Sequence, residues 1–249
     1  MRLFERIMAD LQQDEYFKKF KFHKGRSVLS RKDAGREEII KLEHHSDIYP
    51  VYQIQIYPVY GVKFNILHKW FNKFEVRQSR WCRWDESVYY KSDSSNVDVN
   101  FGNYFTFNEN KTGYETEYLR FRNELFSCSN FFFPRFKTLE DLYKFRVIPM
   151  LEDTKQPGFQ EYYFQPEAYC NSRFRITGTT EWVFETLALC LIVAPENYSR
   201  LKEILLEHIE LMQKCHEPNM ERYYHRLDEI FDYLEHYDFS KELAKMNKQ

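Results

Sequence analysis

The most chemically loaded stretch of the chain is Arg77-Gln78-Ser79-Arg80-Trp81-Cys82-Arg83-Trp84, where Arg77, Arg80, Trp81, Arg83 and Trp84 crowd into eight residues. Guanidinium forks match carboxylate and phosphate oxygens, and indole faces take a stacked base or an apolar side chain, so this string is the first candidate for binding. A local reading stands beside it. On a strand Trp81 and Arg83 share one face and Cys82 and Trp84 the other, so one tryptophan then simply belongs to a core. Upstream, Lys18, Lys19, Lys21, Lys24, Arg26, Arg31 and Lys32 add positive charge. If their strands neighbour the string, Lys24, Arg26 and Arg31 join it in one basic aromatic face.

Catalytic and metal chemistry have less to stand on. Neither G-x-x-x-x-G-K-S/T nor G-x-G-x-x-G occurs, and seven glycines in 249 residues leave little for a backbone cradle around a nucleotide. A G-x-S-x-G nucleophile elbow is missing too. The five cysteines, Cys82, Cys128, Cys170, Cys190 and Cys215, are odd in number, widely spaced and without a C-x-x-C pair. That argues against a disulfide framework or a structural zinc site and predicts reduced, mostly buried thiols. His44 and His45 are adjacent and point to opposite faces of a strand, which suits surface residues better than ligands of one ion. Glu221, His225, Glu229 and Asp232, spaced by four, four and three, would share one stripe of a helix. Such a stripe has the geometry for a divalent ion, but an acidic face on an amphipathic helix is ordinarily solvated. No catalytic residue, metal ligand or cofactor is assigned.

The elements that position these residues are read from periodicity. Leu3, Phe4, Ile7, Met8 and Leu11 recur at three and four, an amphipathic first helix. Extended segments follow at Ser27–Arg31, Glu38–His44, Val51–Tyr57 and Val62–Ile66, with Pro58 and Gly61 marking a tight antiparallel connection between the last two. Leu67, Trp70, Phe71 and Phe74 return to helical spacing. Ser87–Lys91 and Val97–Phe107, separated by the polar turn Ser92–Asn96, read as a hairpin. Beyond Phe131 the chain becomes helical, with a capping-box start at Thr138 and Asp141 and a limit at Pro149. Glu152–Phe174 reads as an irregular connection. Thr179 or Thr180 then caps an apolar helix through Trp182, Phe184 and Leu187, and Pro195 opens the next. The last helix is marked by Met220, Tyr223, Leu227, Ile230, Phe231 and Leu234.

With no repeat, low-complexity tract or linker between the halves, the expected fold is one α+β domain over residues 1–249. A helix and a mainly antiparallel sheet occupy 1–130, and a mainly helical C-terminal layer 131–249. Aromatic residues make up 18% of the chain, which predicts an aromatic core with a base-stacking surface as the alternative. The N-terminus interrupts its apolar residues with Arg2, Glu5, Arg6 and Asp10, unlike a secretory leader, and the apolar run Leu187–Ala194 is too short to cross a bilayer. A cytoplasmic protein without a membrane partner is expected. The net charge of -2 conceals a basic start, +5 over residues 1–36, and an acidic end, -3 over 198–249.

Residues 20–74 resemble a bacterial family of domains of unknown function, numbered 4304. The shared features are a helix ending in Phe-x-Lys, then Gly25-Arg26, a basic strand ending at Arg31, a second strand with Ile39, Ile40 and Leu42, and two strands of alternating apolar residues. The resemblance implies an α+β fold in a bacterial cytoplasmic protein and carries over no binding or catalytic residue.

Three functions remain in view. The leading one is a non-catalytic cytoplasmic binding protein with a protein partner, a bacterial immunity or defence-associated factor being one form of it. The second is a nucleic-acid-binding protein that uses the basic aromatic face, against which the near-neutral charge counts. The third is an enzyme whose active site assembles from scattered residues without a linear motif.

Overall fold

Leu3, Ile7, Met8 and Leu11 line the buried side of the first helix, α1 (Leu3–Gln13), as their spacing predicts. The computed structural model describes residues 3–33, 35–47, 53–74, 88–91, 105–108, 113–152, 181–214 and 223–246. A 3-10 turn at Phe17–Lys19 leads from α1 into a sheet. Strands β1 (Lys21–His23), β2 (Val28–Asp33), β3 (Arg36–Asp47) and β4 (Gln53–Phe64) lie side by side in chain order, and β5 (Val88–Lys91) and β6 (Phe105–Asn108) both pair with β4. Every pairing with a defined register is antiparallel. With the helices below, this is the α+β class expected. At the β2–β3 turn Asp33 faces Arg36 across a two-residue loop, and Gly35 takes φ 80°, a left-handed conformation that a Cβ would disfavour.

One strand reading needs correction. No tight connection forms at Pro58 and Gly61, because β4 runs unbroken through both. Pro58 sits opposite the junction between β6, whose register ends at Ile56, and β5, whose register begins at Val59. A residue lacking an N–H is tolerated where the ladder is interrupted. Of the second expected hairpin, β5 and the end of the other strand in β6 are described, while its turn and residues 97–104 lie outside the described residues. Both β5 and β6 are antiparallel to β4, so they run in the same direction, end to end along its edge. Alternation identifies a strand but not its partner.

The chain divides into two compact units, Met1–Lys63 with Val88–Lys137, and Phe64–Ser87 with Thr138–Gln249. In the first, α3 (Tyr114–Phe132) buries Tyr114, Phe121, Leu125, Cys128, Ser129 and Phe132. The Phe121 ring lies 5.0 Å from Phe105 and 5.6 Å from Phe107, edge-on to both β6 rings. Full burial of such a side chain stabilises by about 1.5–3 kcal/mol. This helix begins well before Phe131, where helical structure was expected. Its inward set repeats at seven, four and three, but Leu119, Phe126 and Phe131 on other faces blur the period.

The second unit begins at α2 (Asn65–Lys69), which continues as a 3-10 turn through Trp70–Lys73. It adds α4 (Leu139–Arg146), α5 (Ile148–Leu151), α6 (Glu181–Val193), α7 (Tyr198–Lys214), α8 (Leu227–Glu235) and α9 (Ser240–Met246). The capping box is present: the Asp141 N–H donates to Thr138 Oγ1 at 3.1 Å and the Thr138 N–H to Asp141 Oδ2 at 2.9 Å. Pro149 lies in the first turn of α5, and Pro195 opens a 3-10 turn that runs into α7. Phe71 stacks on Phe184 at 5.0 Å, and Tyr223 closes on both. Among the described residues the largest fully buried side chains are all aromatic, which supports the core reading of the aromatic content. The expected cap at Thr179 or Thr180 and nearly all of the expected irregular connection lie outside the described residues.

Candidate functional site

Of the nominated binding residues, Arg77, Arg80, Trp81, Arg83 and Trp84 lie outside the described residues, while Lys24, Arg26 and Arg31 are described. Lys24 and Arg26 occupy a 3-10 turn between β1 and β2, and Lys24 Nζ sits 2.7 Å from Glu5 Oε1 on α1. Arg31 faces Glu38 directly across the β2–β3 ladder. Its Nε donates to Glu38 Oε2 at 2.8 Å, and its guanidinium lies over the Phe20 ring at 4.7 Å. Glu38 also accepts from Arg36 Nη2 at 2.6 Å, while Arg36 Nη1 donates to the carbonyl oxygens of Phe133 and Phe136. One buried carboxylate thus anchors two arginines, and the geometry makes Arg31 part of the framework.

Register decides which of the other basic residues share a face. Lys21 pairs with Ser30, so Lys21 and Lys32 belong to the sheet face opposite the one that carries Leu29, Arg31 and Ile40. His23 lies on the Lys21 face, its Nε2 3.0 Å from Ser30 Oγ. Burial, then the Lys21 charge, lowers its pKa below the usual imidazole value, with Glu37 opposing. Lys21 and Lys32 thus share one face of the sheet and Arg31 belongs to the other.

The exposed large apolar side chains among the described residues are Leu119 at 55%, Phe126 at 41% and Phe131 at 47%, all on α3. Leu119 and Phe126 are seven residues apart, two helical turns, and so lie on one stripe of the helix with Asn123 between them. Phe126 meets Tyr16 edge-on at 5.0 Å. Beside it Arg122 Nε donates to Asp14 Oδ2 at 2.7 Å. Phe131 lies on the other flank beneath the Arg135 guanidinium, 3.7 Å from its centroid.

In the second unit a carboxylate, an imidazole and a guanidinium from three helices meet inside the protein. Glu185 on α6 is 3% exposed; its Oε1 lies 2.8 Å from His68 Nδ1 on α2, and its Oε2 lies 3.6 Å from Arg146 Nη1 on α4. A carboxylate fixing one ring nitrogen sets the tautomer and orientation of a histidine, the arrangement behind general acid–base dyads. Sequence reading passed over this cluster because His68 lies 117 residues and Arg146 39 residues before Glu185, and the signal was a lone carboxylate in an apolar run.

A small hollow in the first unit is lined by Thr106, Phe107, Asn108, Gly113, Tyr114 and Glu117. Glu117 is already engaged there: its Oε1 accepts the Thr106 N–H at 3.0 Å. In the His225 stripe, Glu221 lies outside the described residues and His225 precedes α8 on a turn. Glu229 is taken by Arg226, whose hydrogen bond lowers its pKa, and by Lys73. Among the described residues no group of three metal-capable side chains is placed to share an ion. Cys128 and Cys190 are free and buried. No helix among the described residues is long and apolar enough to cross a membrane.

Compared with known proteins, the chain matches no family model, no curated protein and no solved structure.

Proposed function

We propose that this chain is a non-catalytic binding protein that engages another protein through the outward stripe of α3. The carrying observation is the pair Leu119 and Phe126, held on one line of a long helix whose opposite side is firmly anchored by Phe121, Leu125 and Phe132. Single exposed apolar residues are ordinary, but an aligned pair flanked by Tyr16 and a polar rim resembles the anchor pattern with which a helix face enters an apolar groove. The nearby charges favour a protein over a polyanion. Lys18, Lys24, Arg31 and Arg122 each have a carboxylate within ion-pair distance, so little uncompensated field remains at those residues to attract phosphate.

The test is capture of binding partners by the immobilised protein and by its Leu119→Asp/Phe126→Asp variant, at low and high salt, with thermal melting of both to confirm folding. Exposed positions of this kind cost within about 1 kcal/mol of stability when replaced. Binding that persists at high salt and is lost in the double variant is expected. Equal capture by both, or binding abolished by salt alone, rejects the proposal.

A further inference from the structure

The edge strands of the sheet differ in what they carry. At one end β1 holds Lys21, and on the opposite edge β5 holds Lys91. A lysine on an edge strand discourages a further strand from pairing with it. β6 has no such residue: Phe105-Thr106-Phe107-Asn108 alternates aromatic and neutral polar side chains, which suits strand pairing. Its rings are committed to the core, because Phe105 and Phe107 are each 1% exposed and meet Phe121. Among the described residues no strand lies beyond β6, which pairs with β4.

The missing charge comes from α3. Register sets Thr106 opposite Gln55, yet the Thr106 N–H donates to Glu117 Oε1 at 3.0 Å. In an antiparallel ladder successive residues alternate between facing the partner strand and facing away, so Asn108 turns outward with Thr106, and theirs are the backbone groups that a further strand would take. Glu117 stands where that strand's carbonyl oxygen would be. Arg120 holds the carboxylate there, with Nη2 2.6 Å from Oε1 and Nε 3.0 Å from Oε2, and its guanidinium lies over the Phe105 ring at 4.4 Å. The small hollow bordered by Thr106, Asn108, Gly113 and Glu117 lies along the same edge. We propose that Glu117, positioned by Arg120, closes the β6 edge to strand addition, and that the strand it excludes is β6 of a second copy of this chain. The copy is the fitting occupant because the segment is self-complementary: laid antiparallel on itself it gathers aromatic rings on one face and opposes no like charges. The inference does not rest on Leu119 or Phe126.

The test is the mass of the protein in sedimentation across a wide range of concentration, with thermal melting to follow folding. Glu117→Ala is expected to approach about twice the parental mass as concentration rises and to stop there, because an edge paired antiparallel with its own copy makes an isologous contact that uses the edge up. Adding Thr106→Pro removes the outward N–H without costing a ladder hydrogen bond, and adding Asn108→Lys charges the strand itself. Either addition is expected to restore the parental mass. The inference is overturned if Glu117→Ala keeps the parental mass at every concentration, or if the doubling survives both additions. It is also overturned if Glu117→Ala fails to fold, since the carboxylate would then be holding α3 to the sheet rather than closing an edge.

Discussion

Tyr114 donates its phenolic hydroxyl to Asp10 Oδ2 at 2.5 Å, clasping the start of α3 to α1. The guanidinium of Arg6, one turn back on α1, lies 3.7 Å from the centre of the Tyr114 ring and reaches Glu115 at 3.3 Å. Just beyond the end of α1, Asp14 receives Arg122, two turns further along α3. Asp10 on α1 and Asp14 just past its end, four residues apart, thus hold two side chains of α3, eight residues apart, and set the helices against each other.

Replacing Tyr114 by Phe keeps the ring under Arg6 and removes only the donor. Asp10 is partly exposed and recovers a water, so the expected loss is about 1 kcal/mol in urea unfolding, with the far-UV spectrum unchanged. A loss near zero would show the clasp to be ornamental.

Alkaline stability follows from the same corner. Tyr118 stacks on Tyr114 at 6.0 Å, and burial first, then the charges of Asp10 and Asp14, push its phenol up to about 12. The unfolded phenol releases its proton near pH 10. The folded chain holds the proton longer, so this contribution is complete below about pH 10 and is lost as pH rises towards about 12. Melting followed across that window should fall less steeply in Tyr118→Phe than in the parent, and identical slopes would remove Tyr118 from the account.

Acid stability depends in part on Asp14, which accepts the N–H groups of Tyr16 and Phe17 at 2.8 and 3.3 Å as well as the Arg122 guanidinium. Burial alone would raise its pKa, but these donors together outweigh it and hold the carboxyl below the usual aspartate value. A depressed carboxylate contributes stability above its unfolded value of about 3.9, and loses it as pH falls through the folded value. Asp14→Asn should therefore destabilise by about 1–2 kcal/mol near neutrality and by much less in strong acid, measured by urea unfolding at both. A pH-independent difference would contradict the assignment.

Cys190 is predicted to resist alkylation in the native protein. Burial, with a smaller push from Glu196, raises its thiol to about 12, and Sγ donates to the Ala194 carbonyl oxygen at 3.4 Å. Thiolate is the reactive form, so mass-spectrometric mapping after iodoacetamide treatment near pH 8 should find Cys190 unmodified until denaturant is added. Rapid native labelling would show that α6 opens readily.

Much of the architecture is legible locally. The α1 stripe needs only Leu3, Ile7, Met8 and Leu11, and the start of α4 needs only Thr138 and Asp141, because capping and amphipathicity act within a few residues. Strands β2 and β3 are recognisable from Leu29, Ile39 and Ile40 for the same reason. Helix α3 was not, since a helix that exposes Leu119 and Phe126 besides burying Phe121 and Leu125 has no clean period.

What the amino-acid sequence determined by itself is therefore the α+β class, most element types and an aromatic core, all consequences of neighbouring side chains competing for water. Tertiary structure decided the pairings. It made β4 one strand through Pro58, laid β5 and β6 end to end on its edge, sent Arg31 to Glu38 on the face away from Lys21, and brought Glu185 to His68 and Arg146. Each of these joins residues whose separation along the chain says nothing about distance. Hydrogen-bond ladders and buried charges are satisfied by whichever partner the packed chain delivers, and that partner is chosen only when the whole core closes.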